Sequence, residues 1–328
     1  GLSVSLLNHG PVKVFADNFE NSESYDQNSK LNIQRVSGFK IFRKYRKANL
    51  VKEFINNNNV RAAFFDHWKS IENIDESTLK KTRTFCLIHS KEINHQMGTN
   101  LNKRVLGVLN NVDHVISNSL YTKELAISCG VNEKKIIIIN PGVSPIKKLD
   151  EQALKKSEEL LKAKYPRLIT VSRYDKRKNH EKIIMTLRNL KQIYPNIVYI
   201  CVGYGDEEEN IKSLVEELNL NAQVMFFKDI SDDLKNALIA KSDIFVMPSI
   251  IHKTSVEGFG IAYAEAAQYG VPSLGGKDGG ASDVIDHNKT GLICDGNNLD
   301  DIYSNIDQIF KENKHLEYGK AARLNSQN

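Results

Sequence analysis

The chain has 328 residues, 41% of them hydrophobic and 26% charged, which excludes disorder and fibres and, at roughly 150 residues per domain, allows two domains. Its longest apolar runs are short stretches such as residues 136–139, far below the roughly 18 residues that cross a bilayer. Net charge is +5 but uneven: residues 1–150 hold 22 Lys and Arg against 14 Asp and Glu, and residues 151–328 hold 23 against 26. The first half is therefore +8 and the second −3, which points to an anionic partner for the first half.

In chain order, residues 2–7 read as the end of an amphipathic helix that meets a glycine cap at Gly10. A strand and a loop are expected ahead of such a helix. Strands are predicted at 12–16, 60–66, 84–89, 114–118 and 135–139, with helices between several of them, which makes one α/β unit. Residues 38–47 interleave Lys40, Arg43, Lys44, Arg46 and Lys47 with Phe39, Phe42 and Tyr45, just before a helical stripe at Leu50, Val51, Phe54 and Ile55. The stripe should pack on the sheet and leave the basic end exposed, where it suits an anionic membrane surface; a solvated helix face is the alternative, and no nucleic-acid motif accompanies the charge.

The polar, helix-prone stretch 147–164 reads as a linker. Beyond it, strands at 167–172, 197–203, 223–227, 243–247, 272–274 and 291–294 alternate with helices at 179–193, 207–218, 232–240, 260–269 and 299–311. Short right-handed crossovers would turn this into a second doubly wound parallel sheet. The predicted domains are residues 1–148 and 149–328, two Rossmann-like units facing a central cleft. The cysteines, Cys86, Cys129, Cys201 and Cys294, form no CxxC pair, which argues against a zinc site and a disulfide framework and favours a reducing cytosol.

Two clusters carry chemistry. In Glu257-Gly258-Phe259-Gly260-Ile261, followed by Glu265, glycines stand at an expected helix N-terminus, where backbone N–H groups and the helix dipole suit a diphosphate. Glu257 can then reach sugar hydroxyls and Glu265 ribose hydroxyls; a pair of surface glutamates around a turn is the alternative. In Arg173-Tyr174-Asp175-Lys176-Arg177-Lys178, Arg173 and Lys178 stand where a strand hands over to a helix and can neutralise phosphate. A solvated basic turn is the competing reading. No Asp-x-Asp motif is present, and the acidic run 206–209 reads as the first turn of a helix.

These residues resemble the retaining glycosyltransferases of GT-B fold, family 4. Arg173, Lys178, Glu257 and Glu265 match the family's basic pair and glutamate pair, and Gly203, Pro248-Ser249, Gly279-Gly280, Asn140-Pro141-Gly142 and His89 fall in the same order. The long loop before Glu257 is similar to that of phosphatidylinositol mannosyltransferases and many bacterial envelope-sugar transferases. Ser144 and Lys228 depart from the pattern, standing where relatives often carry Asp and Gly. The resemblance implies catalytic roles for His89, Arg173, Lys178 and Glu257, and donor contacts at Gly203, Ile230, Gly258, Phe259, Gly260, Ile261 and Glu265. It implies no cofactor, because the nucleotide-sugar, GDP- or UDP-linked, is itself a substrate; and with no Asp-x-Asp motif, and Arg173, Lys178 and backbone dipoles available for the diphosphate, no metal is expected. The reaction would move a hexose, mannose first, to a lipid-linked or polysaccharide envelope acceptor by front-face displacement. The protein would then be cytoplasmic and peripheral at the inner face of the plasma membrane. A non-catalytic sugar-nucleotide-binding module and a nucleotide-sugar epimerase are the alternatives. The family's glycine-rich loop after its first strand and its returning C-terminal helix are expected outside the chain as given.

Overall fold

A computed structural model describes residues 2–20, 22–146 and 148–327, apart from the side chain of Lys40. Lys147, the first residue of the expected linker, and the two terminal residues lie outside the described residues. Contacts group the chain into two units. The first holds residues through Ile88, His95–Ile116 and Ile127–Ile137; the second holds His89–Asn94, Ser117–Ala126 and Ile138 onward. The sequence places its boundary at 148/149; His89–Asn94 and Ser117–Ala126, the second holding most of the helix Leu120–Ser128, group with the second unit.

The first unit contains β1 (Lys13–Asp17), β2 (Asn32–Val36), β3 (Ala62–Phe65), β4 (Arg83–Ile88), and all but the last residue of β5 (His114–Ser117) and β6 (Ile136–Ile138). A single doubly wound sheet was expected here. The strands instead form a parallel β1–β2 ladder and a separate four-stranded sheet in the order β3-β4-β5-β6. β2 was missed in the sequence because Gln34 and Arg35 interrupt its apolar run. The helix Lys40–Asn57 covers β1 as its stripe predicts: Phe54 meets Phe15 edge to face at 5.7 Å, and Ala48 and Ile55 are buried. In the larger sheet, Phe64 pairs with Phe85 in register and stacks on it at 4.6 Å, above a core containing the fully buried Trp68.

The second unit holds β7 (Arg167–Val171), β8 (Val198–Val202), β9 (Val224–Phe227), β10 (Ile244–Met247), β11 (Ser273–Gly276) and β12 (Gly291–Cys294) in the order β12-β11-β10-β7-β8-β9. Every described pairing is parallel. Because successive strand residues point to opposite faces, the apolar runs of these strands fill two cores. Leu168, Tyr199, Cys201 and Val246 face one, with the helices His180–Ile193 and Leu299–Lys311; Ile169, Val198, Ile200, Phe245 and Met247 face the other, with Asp232–Ala240 and Ile261–Gln268. The polar stretch expected as a linker contains a helix, Glu151–Leu160, capped by Asp150, whose carboxylate accepts from Ala153 N–H at 2.8 Å. A last helix, Lys314–Asn325, was not predicted and buries Tyr318 and Ala322. All four cysteines are buried thiols, and among the described residues no helix is long and apolar enough to cross a membrane.

Strand order reverses between β7 and β10, so the chain leaves these neighbours in opposite directions. Ligands of open parallel sheets bind outside the strand C-terminal ends at such a switch point. The two sequence clusters that carry chemistry follow β7 and β10.

Candidate active site

The loop after β7 makes a 3₁₀ turn, Lys176–Lys178, begun by Asp175, whose carboxylate accepts from Lys178 N–H at 3.2 Å. This turn decides which of three consecutive basic residues point inward. Arg177 Nη1 donates to Glu257 Oε2 at 2.5 Å, and Lys178 Nζ donates to the same oxygen; all three side chains are buried to about nine-tenths. Asn179, in the left-handed region at φ 65°, ties the loops together by donating from Nδ2 to Pro248 O at 2.9 Å and Gly296 O at 2.7 Å. Asp175 Oδ2 lies 3.8 Å from Arg177 Nη2, so Arg177 stands between two carboxylates and Lys178 beside one. The buried Arg177 Nε has no partner among the described residues and remains an available donor.

The glutamate is held from behind by glycine. A Cβ at Gly279, where φ is 102°, would come within 2.3 Å of Glu257 O, and one at Gly280 within 2.2 Å of Gly258 O; Gly280 N–H donates to Glu257 O at 2.7 Å. Gly258 in turn approaches His89, since a Cβ there would lie 2.6 Å from His89 O. His89 itself is exposed, and its N–H donates to Glu92. Gly260, at φ 89°, caps the helix Ile261–Gln268 without a side-chain bond. The first N–H groups of that helix therefore have no side-chain acceptor at its cap, and helix N-termini suit anions.

Burial pushes the Glu257 carboxyl upward, but the charges of Lys178 and Arg177 outweigh it and hold the carboxyl below its ordinary range. Burial likewise pulls the Lys178 ammonium down against the attraction of Glu257, and Arg177 adds to the lowering. The cluster thus presents an ionised carboxylate beside two cations, a pairing that can hold sugar hydroxyls and neutralise phosphate.

The glycosyl transferases group 1 family matches residues 151–325, more than half of the chain, and those residues contain this whole cluster. The chain belongs to the group 1 glycosyl transferases. Over 161 residues it is 29% identical to a GDP-mannose-dependent alpha-(1-6)-phosphatidylinositol monomannoside mannosyltransferase of Mycobacterium tuberculosis; the match covers 48% of this chain and 42% of that protein. The chain therefore spans less than half of that relative's length. Among solved structures, a glycosyltransferase from Rickettsia africae superposes with a TM-score of 0.80 at 19% identity, covering 99% of this chain and 87% of that one. Anabaena HepE, solved with UDP, superposes with a TM-score of 0.78 at 15% identity, covering 96% and 94%. The fold is GT-B.

Within this group 1 transferase the expected site residues fare differently. Lys178, Glu257, Gly258 and Gly260 come together at the switch point, with His89 beside Gly258. Arg173 does not join them: its side chain is 76% exposed and its closest carboxylate is Asp175, at 3.6 Å. Gly203 is fixed by geometry, since at φ 144° a Cβ would lie 1.9 Å from Ser172 O. Ile230 is partly buried against the core, and Phe259 is buried. Ile261 is exposed and Glu265 half-buried on the helix that Gly260 opens.

Sequence reading passed over Arg177, because neighbouring Lys and Arg residues look alike until a turn orients them. It also passed over a buried chain beneath the site. The Val246 carbonyl only accepts, so the Thr170 hydroxyl donates to it; Tyr199 OH then donates to Thr170 at 2.8 Å, and His180 Nδ1–H to Tyr199 at 2.8 Å. His180 Nε2 is left to accept from Ser172 Oγ at 3.0 Å. Burial, helped by the Lys178 charge, pulls the His180 imidazole down to about 3. The ring stays neutral with its tautomer fixed.

Proposed function

We propose that this protein is a retaining hexosyltransferase that moves a sugar, mannose first, from a GDP- or UDP-sugar to a lipid-linked or polysaccharide envelope acceptor. The observation that carries this reading is the Lys178–Glu257–Arg177 cluster at the switch point of a parallel sheet, beside a glycine-opened helix. Lys178, with Arg177, meets the charge of the leaving diphosphate, and Arg173 extends into solvent where it can close on the same group. Glu257 receives sugar hydroxyls and Glu265 ribose hydroxyls, with His89 and Gly258 flanking the sugar. The name of the mycobacterial relative, which specifies GDP-mannose, supports the donor sugar, and HepE's crystallisation with UDP keeps the second base in view. No divalent metal is assigned, because side-chain cations and backbone N–H groups are placed to carry that charge. The departing phosphate would help deprotonate the acceptor hydroxyl. The protein works in the cytoplasm, at the inner face of the plasma membrane, with an anionic membrane surface as partner.

The test is calorimetry and thermal shift with UDP, GDP and ADP and their sugars. A nucleotide at 100 times its dissociation constant should add about 2.7 kcal/mol of stability. Anomer-resolved product analysis in the presence of chelator then checks transfer, retention and metal independence. Binding without any product would favour the non-catalytic module, and sugar inversion without acceptor would favour the epimerase.

A further inference from the structure

β1 and β2 run parallel and in register, so their C-terminal ends leave the ladder side by side. The loops that follow are tied together: Asn18 N–H donates to Val36 O at 3.0 Å, and Asn18 Nδ2 to Ser37 Oγ at 3.2 Å. Apolar side chains gather on and beside these loops; Arg35 lies over the Phe19 ring at 5.1 Å, and the others are largely exposed. Phe19 is 61% exposed, Phe39 85%, and in the first turn of the next helix Ile41 is 69% and Phe42 66% exposed. Single exposed apolar residues are ordinary on a protein surface, whereas several drawn to one edge mark a place of contact.

The cations around them are arranged differently from the sequence expectation. Arg43 Nε and Lys47 Nζ turn onto one carboxylate, Asp17, at 3.2 and 2.9 Å, so two of the four described cations of the cluster are already met within the fold. Lys44 lies over the Tyr45 ring at 4.8 Å, and Arg46 donates to the Ser37 carbonyl. Neither of those contacts removes its charge.

We infer that this edge docks on an anionic bilayer by inserting Phe39, Ile41 and Phe42 into the interfacial zone, with Lys44 and Arg46 orienting the approach. A bilayer is the occupant because the patch joins an apolar tip to flanking cations, the complement of acyl chains below anionic headgroups. The inference deepens the membrane partner named above and is independent of the chemistry of transfer. It differs from the sequence reading in its energetics: apolar burial holds the protein on the surface, and only the orienting part is screened by salt.

The experiment is co-flotation of the whole chain with phosphatidylcholine vesicles containing phosphatidylglycerol, at low salt and at about 1 M NaCl, where screening is nearly complete. Most of the binding should survive high salt. Phe39→Ser, Ile41→Ser and Phe42→Ser together should lose about ten-fold or more at both salts. Lys44→Ser with Arg46→Ser should weaken binding at low salt only. Phe39→Ser alone, a loop substitution that removes no packing, guards against misfolding of the triple variant and should show part of the loss. Complete release of the wild type by salt, wild-type binding by the triple variant, or no vesicle binding at all would overturn the inference. So would a concentration-dependent dimer that the triple variant abolishes, since the patch would then belong to a second copy. Nucleoside diphosphate titration of the same variants separates the two readings. Intact docking without nucleotide binding sinks the transferase, and intact nucleotide binding without docking sinks the membrane edge.

Discussion

Arg177 Nη1 and Glu257 Oε2 meet at 2.5 Å, although 80 residues separate them in sequence. The contact joins the loop after β7 to the loop after β10, with Lys178 on the same oxygen. Breaking a buried pair from one side leaves its other charges unmet. Glu257→Ala should therefore lower the unfolding free energy by about 3 kcal/mol and depress transfer. A nucleoside diphosphate should stabilise this variant at least as much as the wild type, because its phosphates replace the lost carboxylate. A smaller thermal shift in the variant, measured at matched saturation, would contradict the arrangement.

The arginines of the β7 loop are predicted to separate. Arg173 is exposed and Arg177 buried on Glu257. Arg173→Ala should leave unfolding within about 0.5 kcal/mol of wild type, as surface substitutions do, and weaken diphosphate binding. Arg177→Ala should cost stability as well as affinity. Urea unfolding paired with calorimetry reads both quantities, and equal stability losses in the two variants would show that exposure does not distinguish them.

Glu265 is the fifth residue of the helix that Gly260 opens and is half-buried. Its replacement by Ala should weaken nucleoside diphosphate and nucleotide-sugar alike. Such a uniform loss appears in KM more than in kcat. A fall in kcat at unchanged KM would move Glu265 from the ribose to the reacting sugar.

His180 makes the stability of the second unit depend on pH. Its ordinary value of 6.5 falls to about 3 in the folded chain because burial disfavours the imidazolium. The unfolded chain therefore binds the extra proton first. The contribution is complete above pH 6.5 and drains away as pH falls toward 3, by up to about 1.4 kcal/mol per unit. The difference in unfolding free energy between wild type and His180→Gln should shrink steadily across that window. Nitrogen chemical shifts should show the Nδ1–H tautomer at neutral pH, and a difference that does not vary with pH would refute the buried neutral histidine.

Much of this was legible along the chain. Alternating apolar runs and helical stripes placed eleven of the strands, because their apolar pattern and turn residues are local properties of the sequence. The glycines around Glu257 could be read as a close approach because few other residues permit one. β2 escaped because its pattern is broken by Gln34 and Arg35, and the helix Lys314–Asn325 because its burial depends on partners elsewhere; a Cβ at Gly319, for instance, would lie 2.2 Å from Gly270 O.

Tertiary structure alone decided how the charges are used. Composition counted Arg43 and Lys47 toward an open basic surface, yet Asp17 holds both; it weighed Arg173 and passed over Arg177, yet the Asp175-capped turn aims Arg177 at Glu257. Periodicity reports which face of an element is apolar because that information lies within a few residues. The partner of a charge is set by strand order and by which loops meet, and in this chain those loops lie tens of residues apart.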